Sequence, residues 1–79
     1  MKGLTEGRIV HYVMPNGDHR PAIVVNAWQH IDGVCDGYIN ATVFPDWNND
    51  GKSEGIFWVT SICYSEDKEP DTWHWIEPA

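Results

Sequence analysis

Apolar and polar residues alternate over short stretches of this chain, and clusters of Gly, Pro, Asn and Asp separate the stretches. Residues 38–44 show the alternation most plainly, with Ile39, Ala41 and Val43 on one side and Asn40 and Thr42 on the other. A period of two is the signature of a strand with one buried face. Residues 21–28 form the most apolar run and are expected to be the central strand. Residues 8–13 are β-branched and aromatic, residues 56–64 are long enough to bend or change sheets, and residues 72–76 make a short final strand. Turn clusters fall at 15–18, 31–33, 45–55 and 65–71. No apolar stripe recurs at helical spacing, and a single 3₁₀ turn is allowed for near 68–71. The pattern predicts one all-β domain over residues 1–79, a small five-stranded SH3-like barrel. An OB-like barrel is the alternative, although that fold is usually longer and often carries a helix.

Composition changes this picture in two ways. Five Trp in 79 residues are more than a small core needs, so some are expected on a surface or at a subunit interface. A domain this short buries little, and oligomerisation is a common way to add burial, so a homo-oligomer is expected. The formal charge is 5 − 12 = −7, a poor match for a nucleic-acid polymer, which demands a basic face. A small nucleotide held by one or two Arg remains compatible with that charge. Behind Met1-Lys2-Gly3-Leu4 there is no apolar leader, and no apolar run approaches the roughly 20 residues of a membrane span. A cytoplasmic protein without membrane contact is expected, with Cys35 and Cys63 as reduced thiols within strands rather than a disulfide or a zinc pair.

Candidate chemistry is sparse. Asp46-Trp47-Asn48-Asn49-Asp50-Gly51 resembles the first half of a calcium loop, but Phe57 stands where the bidentate Glu belongs, and a hairpin loop is the preferred reading. His11, His19, His30 and His74 are dispersed, with no pair at zinc-type spacing, so no metal site is expected, although His11 and His74 lie in strands that a barrel brings near each other. Ser61, Cys63 and His74 carry no nucleophile–base spacing, and no glycine-rich phosphate loop is present, so the chain is read as a non-enzyme without a cofactor. Binding is instead expected on a face built from Arg20, His11, Tyr12 and Trp73-His74-Trp75, with Trp28 at the end of the apolar strand. Arg20 supplies a fork for phosphate or carboxylate, or else a surface ion pair. The Trp residues supply a stacking platform, or else close the barrel, with one expected in the core and one in the site.

Gly7-Arg8-Ile9-Val10-His11-Tyr12, His19-Arg20-Pro21-Ala22-Ile23-Val24-Val25, Trp58 through Glu66, and Thr72-Trp73-His74-Trp75 occur in an order that resembles a family of short phage and prophage proteins of uncharacterised function. Family versions usually run Gly-Thr-Trp-His-Trp-Pro, where this chain has Asp71 and Ile76 at the two ends. The resemblance implies a phage-type protein acting in the host cytoplasm by sequestering or blocking a host component. The first expectation is therefore a sponge for a nucleotide immune messenger that counters host defence. The alternatives are an inhibitor or adaptor that blocks a host protein, and a virion or assembly component.

Overall fold

The computed structural model describes residues 1–28, 37–50 and 55–78. The expected turn at 31–33, together with His30, Cys35 and Gly51, lies outside the described residues. Five strands are present: β1 (Ile9–Val13), β2 (His19–Trp28), β3 (Tyr38–Val43), β4 (Phe57–Ile62) and β5 (Trp73–His74), with one helical turn, α1 (Trp47–Asp50), between β3 and β4. They form a single antiparallel sheet in the order β4-β3-β2-β1-β5. The sheet curls into a small barrel, as the alternation predicts. Among the described residues no helix is long and apolar enough to cross a membrane.

The curl has local causes. β2 is the longest strand, and it pairs with β1 through Ile23 and with β3 from Ala22 onward. A register shift between Val24 and Asn26 bends it where one partner gives way to the other. A second shift, between Ile39 and Ala41, bends the β3–β4 pair; there Ser61 has a φ of 54° and its N–H donates to the Asn40 side chain at 2.8 Å. The chain beyond β4 then changes partner. Tyr64 bridges Trp73 in parallel, with the Trp73 amide donating to Cys63 O at 3.1 Å and the Ser65 amide to Trp73 O at 3.0 Å. The bend expected within 56–64 thus brings the two edges of the sheet together. Cys63 itself is a free, half-buried thiol.

The core is the concave face: Val10 and Tyr12 from β1, Ala22, Val24 and Ala27 from β2, Ile39, Ala41 and Val43 from β3, and Trp73 from β5, with Leu4 and Met14 at its margins. Trp73 is fully buried, and its Nε1–H donates to Gly37 O at 2.5 Å. Gly37 permits this approach: its φ is 91°, and a Cβ there would lie 3.1 Å from the Met1 Cε atom and 3.4 Å from Tyr64 Cβ. Tyr64 and Trp75 pack edge-on against the Trp73 ring at centroid distances of 5.0 and 5.1 Å.

Residues 46–50 correct one expectation and agree with the preference against calcium. The segment holds a turn of helix in place of an open hairpin loop, because the Asp46 carbonyl accepts from the amides of Asn49 and Asp50 at 3.0 and 2.7 Å. Its carboxylates also already hold a cation. Arg20 donates to Asp50 through Nε at 2.6 Å and through Nη2 at 3.1 Å, while Asp18 and Asp46 oxygens lie 3.2 and 4.0 Å from Nη2. Asp46 and Asp50, the carboxylates of the candidate loop, are thus engaged by Arg20, and the calcium reading gains no support. Near 68–71 the chain forms turns, with positive φ at Lys68 and Asp71, rather than a 3₁₀ helix.

The Arg20 hydrogen bonds hold the Asp50 carboxyl down at about 2, against burial, which pushes it up; the Asp46 amide and Asn16 also favour the charged form. A carboxyl whose folded value is depressed contributes stability above its ordinary range near 3.8 and loses it as pH falls toward 2. Wild type should therefore be more resistant to urea than Asp50→Asn at neutral pH, and the gap between their midpoints should close progressively below about pH 4. A gap independent of pH would show that the clamp does not depend on the ionised carboxylate.

Candidate functional site

On the convex face, strand alternation turns His11 outward between the buried Val10 and Tyr12. The β1–β5 register places His74 directly opposite His11. On the other side of β1, His11 faces Pro21, and His19 stands two residues along β2. Neighbouring strands therefore bring three imidazoles together, with ring centroids separated by 5.6 Å (His11–His74), 5.9 Å (His11–His19) and 4.6 Å (His19–His74). After β5 the chain turns back over this face and delivers Glu77. Its Oε1 lies 2.7 Å from His11 Nδ1, and its Oε2 lies 2.9 Å from His74 Nε2 and 3.0 Å from His19 Nδ1. Lys68 Nζ approaches the same carboxylate at 3.7 Å. One ligand-type atom from each of His11, His19, His74 and Glu77 lies within 4.8 Å of all the others.

Burial is graded across the cluster. His74 is 3% exposed, whereas the His11, His19 and Glu77 side chains keep 26%, 31% and 33%. Desolvation lowers the His74 pKa, outweighing the nearby Glu77 carboxylate, which alone would raise it. For Glu77, partial burial pushes the carboxyl up, but its own backbone amide, the His11 hydrogen bond and, in the acid range where the carboxyl titrates, attraction to His74 and His19 together hold it at about 2, so that at neutral pH it is ionised. The result is an ionised carboxylate facing a neutral, buried imidazole. His74 Nδ1 is buried without a hydrogen-bond partner.

This arrangement has two chemical uses. As it stands, the imidazoles donate to Glu77 and tie the tail to the sheet. The same four groups also match a first-row divalent ion of Zn²⁺ type, which favours imidazole nitrogen and carboxylate oxygen in tetrahedral array. With metal–ligand bonds of about 2.0–2.1 Å, tetrahedral neighbours stand roughly 3.3 Å apart, so the present N···O contacts need to open by about half an ångström and the wider separations, which reach up to 4.8 Å, need to close. Ca²⁺ and Mg²⁺, which take oxygen ligands, do not suit three nitrogens.

The sequence-expected site residues divide between the two faces of the sheet. His11 and His74 come together, as their strand positions allowed. Tyr12 and Trp73 belong to the core, and their expected part in ligand binding is corrected: the Tyr12 hydroxyl donates to Asp71 and the Trp73 indole to Gly37, with no ring face open. Trp75 is half-buried beside Trp73, with the Arg8 guanidinium 5.9 Å from its ring centroid. Trp28 is half-buried at the far end of β2, its Nε1 donating to Asn40 at 3.3 Å. Arg20 is spent on Asp50. The expectation of dispersed histidines is corrected too, since three of the four converge, and His30 lies outside the described residues. His19 and Glu77 were missed. Their signals are weak: one histidine on each arm of the first hairpin, and a His-x-x-Glu spacing at the end.

Comparison with protein-family models, with curated proteins and with solved structures finds no match to this chain. What defines it is therefore a class: an all-β barrel with a three-histidine, one-carboxylate cluster on its outer face.

The surroundings of His74 dictate its tautomer. Nε2 faces an ionised carboxylate and Nδ1 faces no partner, so the neutral ring carries its proton on Nε2. Long-range ¹H–¹⁵N NMR of the metal-free protein at neutral pH should show the Nε2–H tautomer for this residue. A Nδ1–H or doubly protonated ring would mean that Glu77 does not accept this bond.

Proposed function

We propose that this protein is a small metal-binding barrel that holds one Zn²⁺-type divalent ion through His11, His19, His74 and Glu77. The observation that carries this reading is the convergence of four ligand-type atoms, from three strands and the tail, within 4.8 Å. Two further points support it. Burial favours neutral His74, which becomes a ligand when its proton moves from Nε2 to the unpartnered Nδ1. The three histidines sit on paired strands, whose geometry fixes their separation before any ion arrives. Four protein ligands fill a tetrahedral shell and leave no position for water, which describes a binding or structural site rather than a catalytic one.

Sequestering a nucleotide would require the expected phosphate fork and stacking faces to be available. Arg20 is engaged by three acidic side chains, and Trp73 is inside the core. The geometry therefore favours the metal reading. Sequestration, the mode of action implied by the phage-family resemblance, would then concern a metal ion.

Metal titration by calorimetry, with elemental analysis of the dialysed protein, tests the proposal. One Zn²⁺ per chain is expected, with thermal stability rising as free metal exceeds Kd, by about 4 kcal/mol at a thousandfold excess. His11→Ala, His19→Ala and His74→Ala should each weaken binding by more than the roughly 10–100-fold typical of losing a group outside the ligand shell. Cys63→Ser should leave binding unchanged. Folded wild type that takes up no metal would reduce the cluster to an anchor for the tail.

A further inference from the structure

The same convex face carries a second feature, centred on β3 and β4. Register aligns Ile9 with Ile23, Ile23 with Thr42, and Thr42 with Trp58, so one row of side chains crosses β1, β2, β3 and β4 on the outside of the barrel. Trp58 is 83% exposed, Val25 57% and Ile9 53%. Between Val25 on β2 and Trp58 on β4 lies a groove of about 400 Å³, with Asn40 and Thr42 of β3 along its floor and Thr60 at its side. No Asp, Glu, Lys or Arg occurs in residues 21–28, 38–43 or 57–62, although the whole chain carries seventeen such residues, 5 + 12.

We infer that this face is the interface of a symmetric homodimer, in which Trp58 of each copy fills the groove beside Trp58 of the other. Two observations select a second copy as the occupant. A two-fold interface must be self-complementary, and here a projecting indole and an apolar groove able to receive it lie side by side on one patch. Charge points the same way. A partner attracted by a net charge of −7 would be basic and would land among carboxylates, whereas a face without charge offers it no ion pairs. Two copies that each carry −7 meet the least local repulsion where neither presents a charged side chain. Sheet faces of this kind stack about 10 Å apart with their side chains interdigitated. Exposed aromatic residues at the centre of such patches dominate binding energy. The contact is centred on Val25, Thr42 and Trp58 of β2, β3 and β4, and none of these residues is a candidate metal ligand, so the dimer does not need the metal.

Sedimentation equilibrium of the intact protein from micromolar to millimolar concentration, with and without chelator, tests this. A monomer–dimer equilibrium unaffected by chelator is expected. Trp58→Ala and, separately, Val25→Glu should weaken the dimer by roughly tenfold or more. Both positions are exposed, so circular dichroism of each variant should match wild type. A chain that stays monomeric at millimolar concentration overturns the inference and leaves the face to a different partner. A dimer that survives both substitutions overturns it as well, by placing the interface elsewhere.

Discussion

The indole of Trp73 lies inside the curled sheet, and the backbone of the same residue joins the free edge of β5 to the chain that leaves β4. Core filling and closure of the barrel thus fall on one residue. Truncating a buried Trp typically costs about 3–5 kcal/mol, comparable to the whole net stability of a domain this small. Alternation then determines what its neighbours do. Because Trp73 points in, His74 points out, and the β1–β5 register sets it against His11. The position of the candidate metal site is therefore a consequence of how the barrel closes.

The two sides of the sheet handle charge differently. Around Arg20, one guanidinium is shared by three carboxylates and fixes the turn of helix before β4. Around Glu77, one carboxylate meets three imidazoles and an ammonium group. The first cluster carries its own permanent cation, since Arg does not deprotonate in proteins. In the second, the partners are imidazole rings, for whose lone pairs a metal ion and protons compete. That difference in the nature of the partner separates a structural clamp from a binding site, although both contain similar acidic groups.

Much of the fold was legible because each strand announces itself locally. Ile39, Ala41 and Val43 alternate and are all buried, and the Pro15–Asp18 turn appears where expected, with Gly17 at a φ of 92°. Less could be read of the site, because it depends on registers and on a chain reversal that no short window contains. His11 and Glu77 are 66 residues apart in sequence. The sequence leaves Arg20 between a ligand fork and an ion pair, and the ion pair is what forms, because Asp50 approaches once β3 has packed beside β2. The Trp residues were indistinguishable by type. Trp73 entered the core and Trp58 remained outside because of face and strand position, which follow from pairing rather than from composition.

Closure through β5 also bears on how the protein is made. Strands β1 to β4 can pair as soon as they leave the ribosome, but the open sheet has no plug until Trp73 emerges, and the histidine cluster lacks its carboxylate until Glu77 follows. A nascent chain therefore passes through a stage in which an apolar concave surface faces solvent while synthesis is still under way. The open sheet itself assembles hairpin by hairpin, because each of β2, β3 and β4 pairs with the strand made just before it. The final strand instead returns to the first, so the native barrel is completed in a single late step.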